Sequence, residues 1–146
     1  MTNPYGAFRA IKTSVSGHRS VGLEYDVHEY DSRLEARFAE LLIANGIRFK
    51  PHVKFACCDR NIENPTKFFY TVDFVFETPQ KLKGITDILN GVEVKGVLVD
   101  HDHLRIDSMK FHHQMNIYIA LPNLVDYWMR CGLLRKVGNG SEVRKK

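Results

Sequence analysis

The sequence predicts a mixed α/β domain, and three observations carry that prediction. An apolar stripe of helical period opens the ordered part of the chain at Leu34, Phe38, Leu41 and Leu42. A segment of strict alternation follows, with Phe68, Tyr70, Val72, Phe74 and Phe76 apolar at period two. After a third strand, helical and extended patterns succeed each other to the end, giving the order helix, three strands, helix, strand, helix.

Each element has its own boundary signals. Ser32 can cap a helix over 33–44, and Asn45-Gly46 are residue types that end one. Ile47, Phe49, Val53 and Phe55 make a partly alternating strand interrupted by Pro51, which suits a sheet edge. The segment 91–99 reads as the third strand, with Val92 and Val94 facing a core together with Val97 or Val99. A helix is expected within 107–114, a strand over 117–121, a break at Pro122-Asn123 and an amphipathic helix over 125–134. Trp128 and Tyr127 on that helix read as core or dimer contacts rather than base-stacking platforms.

With 146 residues and 44% hydrophobic content, the chain has the size and composition for one domain with its own core. No apolar run approaches the roughly 18 residues of a membrane span, and Met1 to Ala10 lacks the layout of a signal peptide. An intracellular protein is expected. Cys57, Cys58 and Cys131 form no CxxC pair, so they read as reduced thiols in or near the core.

The net charge of +4 and pI near 9.0 favour a polyanionic partner. Basic residues crowd the termini: Arg9, Lys12, His18 and Arg19 at the start, and Arg135, Lys136, Arg144, Lys145 and Lys146 at the end. Residues 1–30 are therefore expected to be a flexible basic arm, 31–134 the folded domain and 135–146 a basic tail. Arm and tail would grip a nucleic-acid backbone; solubilising a disordered end explains the same charges.

The chemistry concentrates in Asp73 and, twenty residues later, Glu93-Val94-Lys95. Strand parity points Glu93 and Lys95 to the same side. If strand 68–76 pairs beside 91–99, Asp73 joins them, and two carboxylates converge next to an ammonium. Such an oxygen-rich site suits Mg²⁺, with Mn²⁺ able to substitute. A metal there would acidify a water and neutralise charge on phosphoryl oxygens, while Lys95 orients the water or stabilises that charge. Glu35 on the preceding helix could hold a second metal, although a capping box with Ser32 accounts for it too. Glu and Lys on one strand face are commonly only a solvated ion pair. An acid inside a strand as apolar as 68–76 is harder to explain without a partner or a metal.

In order and context these motifs resemble the PD-(D/E)XK nucleases. Ser32-Arg33-Leu34-Glu35 through Asn45-Gly46-Ile47-Arg48-Phe49 is similar to their opening helix and strand, Tyr70-Thr71-Val72-Asp73-Phe74 to the "PD" strand, and Val92-Glu93-Val94-Lys95-Gly96 to the (D/E)xK strand. The likeness covers roughly residues 31–121 and is greatest to small phage-type junction-resolving endonucleases. Val72 stands where the motif usually has proline.

The resemblance implies a restriction-endonuclease-like mixed β-sheet flanked by helices, with Asp73 and Glu93 as metal ligands, Lys95 assisting the water and Glu35 as the helix-borne acid. It further implies a DNA endonuclease acting on branched or four-way-junction DNA as a homodimer. The alternatives are a restriction- or transposition-type endonuclease, a RecB-like exonuclease, and a non-enzymatic DNA-binding module of nuclease-like fold.

Two further motifs are weaker. Gln114 and Tyr118 match the QxxxY element of RecB-type nucleases, which requires one continuous helix; the alternation of Ile117, Ile119 and Leu121 favours a strand instead. Asp100-His101-Asp102-His103 has no further ligand pair at a standard spacing, so it reads as a polar loop beside the active strand. With Arg105 and Lys110 it is a candidate DNA contact.

Overall fold

The computed structural model describes residues 11–59 and 63–135. Arg9 and the tail lysines and arginines after Arg135 lie outside those residues.

The central sheet has four strands in the order β3-β4-β5-β6. Strands β3 (Phe49–Cys58), β4 (Lys67–Gln80) and β5 (Leu89–Val94) are antiparallel neighbours, and β6 (Ile117–Ala120) runs parallel to β5. Helix α1 (Arg33–Ala44) precedes the sheet, α2 (His101–His113) links β5 to β6, and α3 (Pro122–Cys131) follows β6. The chain is thus a mixed α/β protein with a mixed sheet flanked by helices. Among the described residues no helix is long and apolar enough to cross a membrane.

Helix α1 forms where its stripe predicts, burying Leu34, Phe38, Ala39 and Leu42. These pack with Phe49, Phe74, Val92 and Trp128 in the larger core cluster. Trp128 is fully buried, and its indole N–H donates to the Lys83 carbonyl at 2.7 Å. A smaller cluster joins Cys57, Tyr70 and Val72 of the sheet to Met109 of α2. Gly91 is required where β5 crosses β4, because a Cβ there would sit 2.5 Å from the Phe74 carbonyl oxygen.

The Ser32 hydroxyl accepts from the Glu35 amide at 3.2 Å. Only half of the expected capping box forms, since the Glu35 carboxylate turns to His52 (3.1 Å) rather than back to the cap. Ser32→Ala is expected to cost about 1 kcal/mol in chemical denaturation; an unchanged midpoint would mean that solvent satisfies the Glu35 amide equally well.

Several expectations are corrected. Residues 11–30 are no flexible arm: β1 (Thr13–Val15) and β2 (His28–Tyr30) pair antiparallel around a 3₁₀ turn, His18–Val21. Val15, His18, Val21 and Tyr30 are buried. The cause is tertiary. His18 bonds the Asp26 carbonyl and the Tyr30 hydroxyl through its two ring nitrogens, and Tyr30 stacks on Phe74.

Strand β5 ends at Val94, leaving Val97 and Val99 exposed, and α2 begins six residues before the expected 107. Asp100–His103 is therefore not a loop but the cap position and first turn of α2. The last helix begins at Pro122, whose missing amide proton suits a first turn. Cys57 is buried, but Cys131 is exposed.

Candidate functional site

Register assembles the predicted acids. Strands β4 and β5 pair Phe74 with Val92, and one step along that register sets Asp73 beside Glu93. Directly opposed residues of antiparallel strands project to the same side. The Val94 amide donates to Asp73 Oδ2 at 3.0 Å, tying the carboxylate to the neighbouring strand. Lys95, just past the end of β5, places Nζ 3.9 Å from Glu93 Oε2.

The Glu35 carboxylate arrives from the first turn of α1 and meets His52 Nε2, which lies 4.0 Å from Asp73 Oδ1. Glu35, Asp73, Glu93 and Lys95 thus share one end of the sheet. Of the expected DNA contacts, Lys12 and Lys110 are exposed, and Arg19 donates to the Glu24 carbonyl. Arg105 lies over the Tyr70 ring and 3.6 Å from Asp102, with its side chain partly exposed.

The acids pay electrostatically for this crowding. Burial, then the charges of Glu35 and Glu93, push the Asp73 carboxyl well above the usual carboxylate range, against the Val94 hydrogen bond. Burial also raises Glu93, while the Tyr70 hydroxyl and the charges of Lys95 and Arg105 oppose it. Tyr70 itself is raised, by burial first and then by Glu93. The two groups interact with each other, and Tyr70 Oη and Glu93 Oε1 are buried with no other partner. A buried carboxylate oxygen with so few partners is uncommon.

That oxygen bears on whether a metal fits. Asp73, Glu93 and Glu35 supply only oxygen donors, the set a hard cation such as Mg²⁺ takes, and Glu93 Oε1 faces no protein group besides the Tyr70 hydroxyl. The residues fit.

Two residues of the site escaped the sequence reading. Asp102, on the first turn of α2, is 1% exposed; it accepts from Lys95 Nζ at 2.8 Å and from the Val99 amide at 2.8 Å. Burial pushes its carboxyl up, but Lys95, the Val99 amide and Arg105 together hold it below the usual range. His52 sits in the left-handed region (φ 54°) of the edge strand, where the ladder pairs Pro51 with Phe74 and Val53 with Val72. Its imidazole is raised by the Glu35 hydrogen bond, against burial. The DHDH run and the Pro-His pair at a strand edge were the only local signals, and neither names a partner.

Gln114 and Tyr118 do not form the helical element considered for them. Gln114 ends α2 in a left-handed conformation (φ 53°), and Tyr118 pairs with Val92 on β6. A cavity of about 400 Å³ lies elsewhere, lined by Val21, Arg48, Phe76 and Glu77 among others, and includes none of Glu35, Asp73 and Glu93.

Comparison with protein-family models, with curated proteins and with solved structures finds no match for this chain.

Proposed function

We propose that this chain is a Mg²⁺-dependent endodeoxyribonuclease organised like the PD-(D/E)XK enzymes its motifs resemble. The observation that carries this is the pairing of partly buried Asp73 with buried Glu93 across β4 and β5, with Lys95 alongside. Asp73 and Glu93, with Glu35, would hold the cation. The chemistry a bound Mg²⁺ supplies is acidification of water and neutralisation of charge on the phosphoryl oxygens.

The chain's own residues do the rest. Lys95 sets its ammonium at the edge of the acid pair, where it can orient a water or stabilise an anionic phosphoryl group. Asp102 fixes that ammonium from behind, so its position is set before substrate arrives. Paired cuts in two strands need two such sites, which makes a homodimer on branched DNA the preferred form. A RecB-like exonuclease is less favoured, because Gln114 and Tyr118 share no helix.

The test is a cleavage panel with the full chain and Mg²⁺ on a four-way junction, a flap, single-stranded DNA and linear duplex. Preferential cutting of the junction is expected. Equal cutting of linear duplex would remove the junction preference, progressive shortening from ends would favour an exonuclease, and DNA binding without cutting would leave a non-enzymatic module.

A further inference from the structure

We propose that Asp31, Glu35 and His52 form a nitrogen-bearing cation subsite beside the all-oxygen acid pair, suited to Mn²⁺, Co²⁺ or Zn²⁺ rather than Mg²⁺. The three residues come from separate places: Asp31 directly after β2, Glu35 in the first turn of α1 and His52 in β3. One ligand atom from each lies within 4.8 Å of the others. That is the spread of donors around a single ion, and the donor types differ from those of Asp73 and Glu93.

A simple ion pair accounts for less of this arrangement. One carboxylate would satisfy a single imidazolium, yet His52 Nε2 faces Glu35 at 3.1 Å and Asp73 at 4.0 Å, with Asp31 also in the group. Three carboxyl groups around one imidazole offer more oxygen donors than a single ion pair uses. Among the described ion pairs, those of Glu35 and Asp73 go to His52 alone. A divalent ion would use those donors together, and an imidazole donor favours borderline transition metals over Mg²⁺.

The other ring nitrogen is already supported. His52 Nδ1 lies 3.4 Å from His28 Nε2, and the His28 ring packs edge-on against Tyr30 at 4.7 Å. With Nε2 on a metal, the Nδ1–H would donate to His28, the kind of backing that fixes tautomer and ring orientation in histidine metal sites. Glu35 is shared with the proposed nuclease centre. Any catalytic consequence therefore rests on that reading, whereas metal binding by these three residues does not.

The experiment uses the full chain without DNA. Mn²⁺ bound to the protein should show coupling to an imidazole nitrogen in pulsed EPR, and Co²⁺ titration should give a visible absorption band. His52→Gln should abolish the coupling, and His28→Ala should weaken Co²⁺ binding by about tenfold or more. Glu93→Gln removes a ligand of the acid pair but should leave the nitrogen coupling intact. No nitrogen coupling in the wild type, or coupling that persists in His52→Gln, would overturn the subsite. The wild-type measurement decides even if the variant fails to fold. Nitrogen coupling in a chain that cuts no DNA would uphold the subsite and defeat the nuclease; cleavage without coupling would do the reverse.

Discussion

Asp73→Asn is expected to reduce Mg²⁺-dependent DNA cleavage by roughly 10³-fold while making the metal-free protein more stable. The two effects have one origin. Asp73 is held among Glu35 and Glu93 and is largely withdrawn from solvent, so its ionised form is disfavoured in the folded state and its carboxyl titrates well above the usual range.

The sign of the pH dependence follows. Between the ordinary carboxylate pKa and the raised folded value, the folded state binds more protons than the unfolded one. Stability therefore falls as pH rises through the folded pKa, and is greater towards the unfolded value near ~4. Asparagine removes the charge and keeps an oxygen to accept from the Val94 amide. The gain should be about 1 kcal/mol, as when a functional group under electrostatic strain is relieved.

Thermal melts in chelator at pH 5 and pH 8, beside a cleavage assay, check both parts. The wild type should lose stability between the two pH values more than Asp73→Asn does. Full activity in the variant would remove Asp73 from the proposed metal centre. A less stable variant would show that the carboxylate is not under electrostatic strain.

Asp102→Asn should act in the opposite direction, costing about 3 kcal/mol, the order expected when one partner of a buried ion pair is removed. Asp102 is buried and accepts from both Lys95 and the Val99 amide, so asparagine must turn an NH₂ towards one of these donors. Because the folded carboxyl is held low, its contribution is fully present above the ordinary carboxylate pKa and is lost as pH falls through the folded value.

Freed of Asp102, Lys95 has Glu93 as its remaining partner at 3.9 Å, and cleavage should fall as the ammonium shifts. Urea denaturation of Asp102→Asn, Lys95→Met and the double variant separates the terms. The double variant should recover part of the loss, because the two closest partners are removed together. Strict additivity would mean that the pair is not coupled, and Lys95 would then be held by something other than Asp102.

What was legible in the sequence had a local cause. The stripe Leu34, Phe38, Leu42 specified α1 because each of those side chains must leave water on the same helical face. Alternation from Phe68 to Phe76 specified the middle of β4, although the strand runs on to Gln80 through a register irregularity that alternation does not reveal. Gln114 and Tyr118 came out as a helix end and a strand, as the alternation of 117–121 favoured.

Where the pattern was weak, the structure diverged. Residues 13–30 carry no sustained period; they are ordered by a buried histidine and by stacking on Phe74, contacts made with distant parts of the chain. Helix α2 begins early although its first turn is polar, because that turn is anchored through Asp102 to Lys95.

For the acids at one end of the sheet, the sequence by itself determined that Glu93 and Lys95 would lie close together and that Asp73 needed a partner. Strand parity and the cost of burying a charge are both local properties. Only the tertiary structure decided what surrounds them. The register of β4 on β5 placed Asp73 against Glu93, α1 carried Glu35 to His52, and α2 set Asp102 behind Lys95. Those pairings join residues on different elements, and no local pattern specifies which buried charge will meet which.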